Sequence, residues 1–212
     1  MTGKFITFEG IDGSGKSTQL NLLADALREQ SIDLLTTIQP GGTPLGRSLR
    51  KAFLDTEESV APMAELLLFA ADRAQHVEHL IMPALNEGRL VISDRYADAT
   101  FAYQGAGRGF DIKVIDQAIE MATGGLTPDL TLFFDIPVDT ALSRMGARSN
   151  AGGTLNRMDR ESAAFYDRVR TAYLGIAERE PGRFRVIDAT GTIESIHQEV
   201  VNVIKSDLRV LP

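Results

Sequence analysis

Five short runs rich in apolar and β-branched residues, Phe5 to Glu9, Leu34 to Ile38, Leu90 to Ser93, Leu130 to Asp135 and Phe184 to Asp188, are separated by longer segments of helical period. That alternation constrains the fold more than any other feature. A strand returns parallel to its predecessor only through a crossover long enough to hold a helix, so the pattern predicts an α/β protein with a five-stranded parallel sheet flanked by helices. Helices are expected over Lys16 to Glu29, Pro44 to Phe53, Met63 to Asn86, Asp111 to Ala122, Val138 to Arg148, Arg160 to Arg179 and Ile193 to Asp207. In the longest of these, Leu66, Phe69, Ala70, Arg73 and Val77 recur at steps of three and four, which places an arginine on an otherwise apolar face.

The 212 residues suit one domain spanning 1–212, with no repeat and no Pro- or Ser-rich linker to divide it. Hydrophobic residues at 43% and charged residues at 24% exclude a disordered or collagenous chain. A formal net charge of -7 argues against a nucleic-acid partner, so an anionic ligand has to be met by local positive groups. The absence of cysteine removes disulfides, thiolate nucleophiles and cysteine zinc sites, in keeping with a cytoplasmic location. The N-terminal stretch lacks the features of a signal peptide, and no apolar run reaches membrane-spanning length, so no membrane partner is expected.

The stretch EGIDGSGKSTQ carries the first chemistry. Residues Gly10, Ile11, Asp12, Gly13, Ser14, Gly15, Lys16 and Ser17 satisfy G-x-x-x-x-G-K-[ST] between a predicted strand and a predicted helix, the context in which that pattern builds a phosphate loop. Glycines let backbone N–H groups turn inward around a phosphate, and the following helix adds the positive end of its dipole. Lys16 should reach the β and γ phosphates, the Ser17 hydroxyl should bind magnesium, and Thr18 completes the loop. A glycine turn that only joins strand to helix is the structural alternative. At the end of the third strand, Ser93-Asp94-Arg95-Tyr96 brings a carboxylate and a guanidinium to the sheet edge where open α/β sheets bind ligands. Asp94 can organise a magnesium shell and Arg95 can fork onto a phosphate, or the two are an ordinary surface pair.

Taken in order and spacing, EGIDGSGKST, QPGGTPLGRSLR, LLLFAADRAQHV, ISDRYADATFAYQGAGRG and DLTLFFDIP resemble the bacterial thymidylate kinases over nearly the whole chain. The DRY…AYQG block carries the most family-specific part, because many NTPases share the phosphate loop. The resemblance implies a P-loop NTPase fold of three layers with a short lid at about 144–160, and transfer of the γ-phosphoryl group of ATP to dTMP with magnesium. It implies that Asp12 receives the deoxyribose 3'-hydroxyl, which explains a carboxylate beside an anion site. It further implies that Phe69 stacks on thymine, that Arg73 donates to a base carbonyl, and that Thr100 and Gln104 hydrogen-bond the pyrimidine edge. Tyr103 should crowd the 2' position, and Arg50 and Arg95 should hold the acceptor phosphate. Without the family match, Phe69 reads as core and Arg73 as a solvated charge.

The catalytic set expected from the motifs and the resemblance is Lys16, Asp94, Arg95, Arg148 and Arg157. Some thymidylate kinases carry a catalytic arginine inside the phosphate loop, where this chain has Gly13; others place arginines in the lid. Arg144, Arg148 and Arg157 flank the flexible-looking insert Ser149 to Thr154, and Arg148 and Arg157 are the favoured pair. Two departures from the family pattern stand out. Ile38 and Gln39 replace an Arg-Glu pair, so Gln39 can hydrogen-bond but cannot neutralise Arg50 or Arg95, and Asn156 replaces a lid aspartate. His76 and His79 share a helix without a third ligand nearby, and a partly exposed face or a subunit contact is favoured over zinc. Family members pair as homodimers through helices. The rival functions are a kinase for another deoxynucleotide or a deoxynucleoside, and a non-kinase ATP-binding switch; no Asn-Lys-x-Asp stretch for guanine occurs.

Overall fold

The structure is a computed structural model that describes residues 3–152 and 156–208. Five strands, β1 (Lys4–Glu9), β2 (Leu34–Ile38), β3 (Leu90–Asp94), β4 (Leu130–Asp135) and β5 (Phe184–Asp188), form one parallel sheet in the order β2-β3-β1-β4-β5. The helices are α1 (Lys16–Glu29), α2 (Pro44–Phe53), α3 (Pro62–His76), α4 (Met82–Asn86), α5 (Ala97–Thr100), α6 (Ile112–Thr123), α7 (Val138–Asn150), α8 (Ala163–Arg179) and α9 (Ile193–Leu208).

Side chains alternate across a strand, and the two sheet faces divide accordingly. Phe5 and Val91 meet Val77, Ile81, Ala84 and Leu85 of the long helical stretch, whereas Ile6, Phe8 and Ile92 join the larger cluster that holds Leu23 and Leu27 of α1 and Val200 and Ile204 of α9. Helices therefore cover both faces, as buried parallel strands require. Because β1 sits between β3 and β4, its C-terminal end and that of β3 open side by side. That is the crevice in which a doubly wound sheet binds ligands.

All five strands lie where the apolar runs predicted them, with β1 and β3 each one residue longer. The long helix departs from expectation in the middle. Between α3 and α4, residues Val77–Ile81 adopt a wider π-turn, and Met82 N–H reaches the Val77 carbonyl. Pro83 just beyond has no N–H to give, which is the condition under which a helical ladder slips. The predicted Arg160 helix divides into a short 3-10 turn, Met158–Arg160, and α8, whose start is set by the Ser162 hydroxyl accepting from Phe165 N–H. The sequence pattern missed α5 and the π-turn segment Phe101–Gly107 that follows it. In the predicted flexible insert, Ser149 and Asn150 extend α7, Ala151 and Gly152 form a turn, and Gly153 and Thr154 lie outside the described residues.

Candidate active site

The loop after β1 wraps the N-terminus of α1 because its backbone takes conformations open to glycine. Gly13 has φ +83°, and a Cβ there would stand 2.4 Å from the Ala141 carbonyl oxygen. The loop thus packs against α7 so closely that no side chain, an arginine included, fits at position 13 without movement. Of the predicted loop residues, Asp12, Gly13, Gly15, Lys16, Ser17 and Thr18 line a cavity of about 550 Å³. Gly10, Ile11 and Ser14 do not. Ile11 is buried in the main hydrophobic cluster, the Ser14 side chain is enclosed, and the Gly10 carbonyl is occupied by Arg95.

Arg95 follows β3 with φ +71°, an uncommon conformation for a residue with a side chain, costing on the order of 1 kcal/mol. Three hydrogen bonds hold it there. Its N–H donates to the Phe8 carbonyl at 2.9 Å, its carbonyl accepts from Ser93 Oγ at 2.7 Å, and the next N–H, of Tyr96, donates to Glu9 Oε1 at 2.7 Å. The kink throws the guanidinium back over the phosphate loop, where Nη1 donates to the Gly10 carbonyl at 2.8 Å and Nη2 to Asp12 Oδ1 at 2.9 Å. The Arg95 guanidinium also lies over the Tyr103 ring, 4.8 Å from its centroid.

Asp12 is held from three sides: by Arg95, by Lys16 Nζ at 3.7 Å and by the Tyr103 hydroxyl at 3.3 Å. Burial by itself would raise its carboxyl, but Arg95 and Lys16 outweigh it and hold the group well below the usual carboxylate range. Glu9, deeper in, behaves oppositely. Burial first and then the charge of Asp98 push it up to about 7, against Arg95 and the hydrogen bonds from the Tyr173 hydroxyl, 2.7 Å from Oε2, and from Tyr96 N–H.

Ser17 Oγ donates to Asp94 Oδ2 in a short contact at the start of α1. Among the described residues no group of three or more His, Asp or Glu side chains could enclose a metal. One hydroxyl and one carboxylate side by side fit a hard divalent ion that keeps its remaining ligands from water and phosphate oxygens.

The far end of the cavity is built by α3 and the 96–104 segment. Phe69, Arg73, Thr100, Tyr103 and Gln104 all line it, together with Arg50 from α2. Phe69 is braced edge-to-face by Phe53, with ring centroids 4.8 Å apart. Arg50 Nη1 donates to the Pro40 carbonyl at 3.1 Å. Arg73, fully buried, is wired by Nε to Gln39 Oε1 at 2.7 Å and by Nη2 to the Tyr96 carbonyl at 3.0 Å. Gln39 thus serves Arg73, and the expected consequence of its neutrality for Arg50 and Arg95 gives way to one for Arg73. No carboxylate lies within salt-bridge distance of Arg73 among the described residues.

His76 also departs from expectation. Instead of a partly exposed face it is fully buried, hydrogen-bonded to Thr37 Oγ1 at 2.7 Å and Gln39 Nε2 at 3.2 Å, while His79 is exposed. Burial, helped by Arg73, depresses its imidazole to about 4, so the ring is neutral and accepts from the Gln39 amide. Helical spacing put His76 beside Arg73 without showing that β2 would cover that face.

The two lid arginines separate. Arg148 lines the cavity and approaches Asp159 Oδ1 at 3.5 Å. Arg157 does not line it: its Nη2 binds Glu65 Oε2 at 2.5 Å and its Nε the Phe53 carbonyl at 3.1 Å. Glu65 is a fully buried carboxylate, and an arginine provides the charge that offsets it. Asn156, the replaced lid residue, caps the next turn by accepting from Met158 N–H at 2.7 Å. The sequence reading left Arg144, Met158 and Asp159 out of the site, although all three line the cavity. Arg144 was signalled by its place one helical turn before Arg148. Asp159 was signalled only by its place in the expected lid, two residues after Arg157.

Strand, phosphate loop and helix, with paired carboxylate and hydroxyl at the helix start and arginines across the opening, define a P-loop phosphotransferase of the α/β class. The family model for thymidylate kinase matches residues 8–200, and the chain belongs to the thymidylate kinase family. It is 48% identical over 208 residues to the thymidylate kinase of Nitratidesulfovibrio vulgaris, covering 96% of this chain and 97% of that one. It is 47% identical over 201 residues to that of Ectopseudomonas mendocina, with 94% of each chain covered. The crystal structure of thymidylate kinase from Ehrlichia chaffeensis superposes with a TM-score of 0.76 at 35% identity, covering 96% of this chain and 99% of that one.

Proposed function

We propose that this chain phosphorylates dTMP to dTDP with ATP and magnesium, supplying the precursor of dTTP. The observation that carries the proposal is the continuity of one cavity, which runs from Lys16 and Ser17 of the phosphate loop to Phe69, Arg73, Thr100 and Gln104. A donor triphosphate and an acceptor base can occupy it together.

Phosphoryl transfer needs positioning and charge stabilisation more than a strong base. A dTMP phosphate oxygen attacks the γ-phosphorus, the bond to the bridging β–γ oxygen breaks, and ADP leaves. Loop N–H groups and Lys16 hold the β and γ phosphates; Arg50 and Arg95 hold the acceptor phosphate and offset its repulsion from ATP. Ser17 and Asp94 hold magnesium, which supplies charge neutralisation at the phosphates. Asp12 takes the 3'-hydroxyl, and its depressed carboxyl suits an acceptor that stays ionised. Tyr103, hydrogen-bonded to Asp12, crowds the 2' position. Of the two favoured lid arginines we assign contact with the transferred group to Arg148, because it lines the cavity and Arg157 does not.

We assign the chain one domain over 1–212 with a lid near 144–160, and a cytoplasmic location. No helix among the described residues is long and apolar enough to cross a membrane. A homodimer through α3 is favoured by its outward side chains Met63 and Leu67, which are 47% and 58% exposed.

An ADP-release assay with ATP and magnesium, offering dTMP, dUMP, dCMP, dGMP and thymidine, tests the proposal. Strong preference for dTMP supports it. Equal, slow ADP release with every acceptor and with none would make the chain an ATP-hydrolysing switch.

A further inference from the structure

Glu65 lies on α3 one turn before Phe69 and two before Arg73, yet it does not line the cavity. It is fully buried, and four donors converge on its carboxylate. Oε1 accepts from Gln104 Nε2 at 2.8 Å and Arg108 Nε at 3.1 Å; Oε2 accepts from Arg108 Nη2 at 3.0 Å and Arg157 Nη2 at 2.5 Å. Burial would raise this carboxyl, but the hydrogen bonds from Arg108, Gln104 and Arg157 outweigh it and keep the group ionised.

An ionised carboxylate only accepts hydrogen bonds. Gln104 must therefore turn its NH2 toward Glu65, and the sense of the amide, otherwise ambiguous between oxygen and nitrogen, is decided by chemistry. Gln104 Oε1 is left without a hydrogen-bond partner among the described residues, on a buried side chain that lines the cavity, and it is not an enclosed unsatisfied atom. An acceptor is thus fixed in the part of the cavity assigned to the base. Thymine and uracil carry N–H at ring position 3; cytosine carries a lone pair there.

We propose that Glu65 is a positioning residue for base selection: it locks the Gln104 amide with Oε1 toward the cavity, so the site takes bases with N3–H and rejects cytosine. Arg108 and Arg157 offset the buried charge that Glu65 carries, while the contact that fixes the amide is the one between Glu65 and Gln104. The proposal rests on the assignment of the cavity to dTMP.

The test compares kcat/KM for dTMP and for dCMP in the wild-type enzyme, in Glu65→Gln, in Arg157→Gln, and in the swap Glu65→Gln/Gln104→Glu. A neutral amide at 65 can donate as well as accept, so Gln104 is free to turn over. The dTMP:dCMP ratio should fall roughly tenfold or more in Glu65→Gln. Arg157→Gln weakens the same cluster but leaves a carboxylate facing Gln104, and its ratio should stay within about threefold of wild type, since loss of folded protein lowers both substrates alike. The swap restores an acceptor-only group at the cavity wall and should recover the ratio; if Glu65→Gln alone fails to fold, the swap, which conserves the charge, decides. An unchanged ratio in Glu65→Gln, an equal fall in Arg157→Gln, or a swap that loses selectivity would overturn the proposal. A wild-type enzyme with no preference for dTMP over dCMP would overturn it together with the assigned function.

Discussion

Gln39 Oε1 accepts from Arg73 Nε at 2.7 Å while its Nε2 donates to the neutral ring of His76, so a buried cation is oriented by a residue that does not neutralise it. Replacing Gln39 by Leu strands a guanidinium N–H and an imidazole nitrogen in the interior. The expected cost is about 1–3 kcal/mol in urea unfolding, with a higher KM for dTMP. Gln39→Glu should instead pair with Arg73 and raise the His76 imidazole above its present value near 4, which an NMR titration of the histidine ring measures.

Glu9 gives a pH prediction of defined sign. Its folded value, about 7, lies above the ordinary 4.5, so the folded chain binds the extra proton between those limits. Stability then declines as pH rises from about 4.5 to 7 and levels off above, opposite to the behaviour of a salt-bridged carboxylate. Glu9→Gln keeps an acceptor for Tyr96 N–H and removes the ionisation. Relative to wild type it should gain stability between pH 5 and pH 8, measured by denaturant unfolding at each pH.

The lid arginines should part in their effects. Arg148→Ala, at a half-exposed side chain facing the cavity, is expected to lower kcat roughly ten- to a hundredfold while unfolding shifts by less than about 0.5 kcal/mol. Arg157→Ala withdraws a partner from buried Glu65 and should cost about 1–3 kcal/mol of stability with a smaller effect on kcat. Steady-state kinetics and thermal unfolding of both variants check the division.

Gly13 and Gly15 provide a matched pair. Both have positive φ, +83° and +88°, but a Cβ at 13 meets the Ala141 carbonyl oxygen whereas one at 15 meets nothing within 4 Å. Gly15→Ala should pay only the conformational cost of about 1–2 kcal/mol, and Gly13→Ala measurably more, in unfolding experiments without nucleotide.

Much of this protein was determined locally. Strand positions, the phosphate loop and the Asp94-Arg95 turn follow from periodicity, glycine placement and side-chain chemistry that neighbouring residues carry among themselves, and the structure brings nearly all the predicted base and phosphate residues to one cavity. What tertiary structure decided is the set of partners. His76 read as a helix-face residue until β2 closed over it; Arg157 read as a lid arginine until Glu65, 92 positions away in sequence, claimed it; Gln39 read as facing phosphate arginines until Arg73 took its amide. The reason is physical. Buried polar groups must find partners, and which partner lies within hydrogen-bond reach is set by how helices and strands pack, information that no local stretch of chain contains.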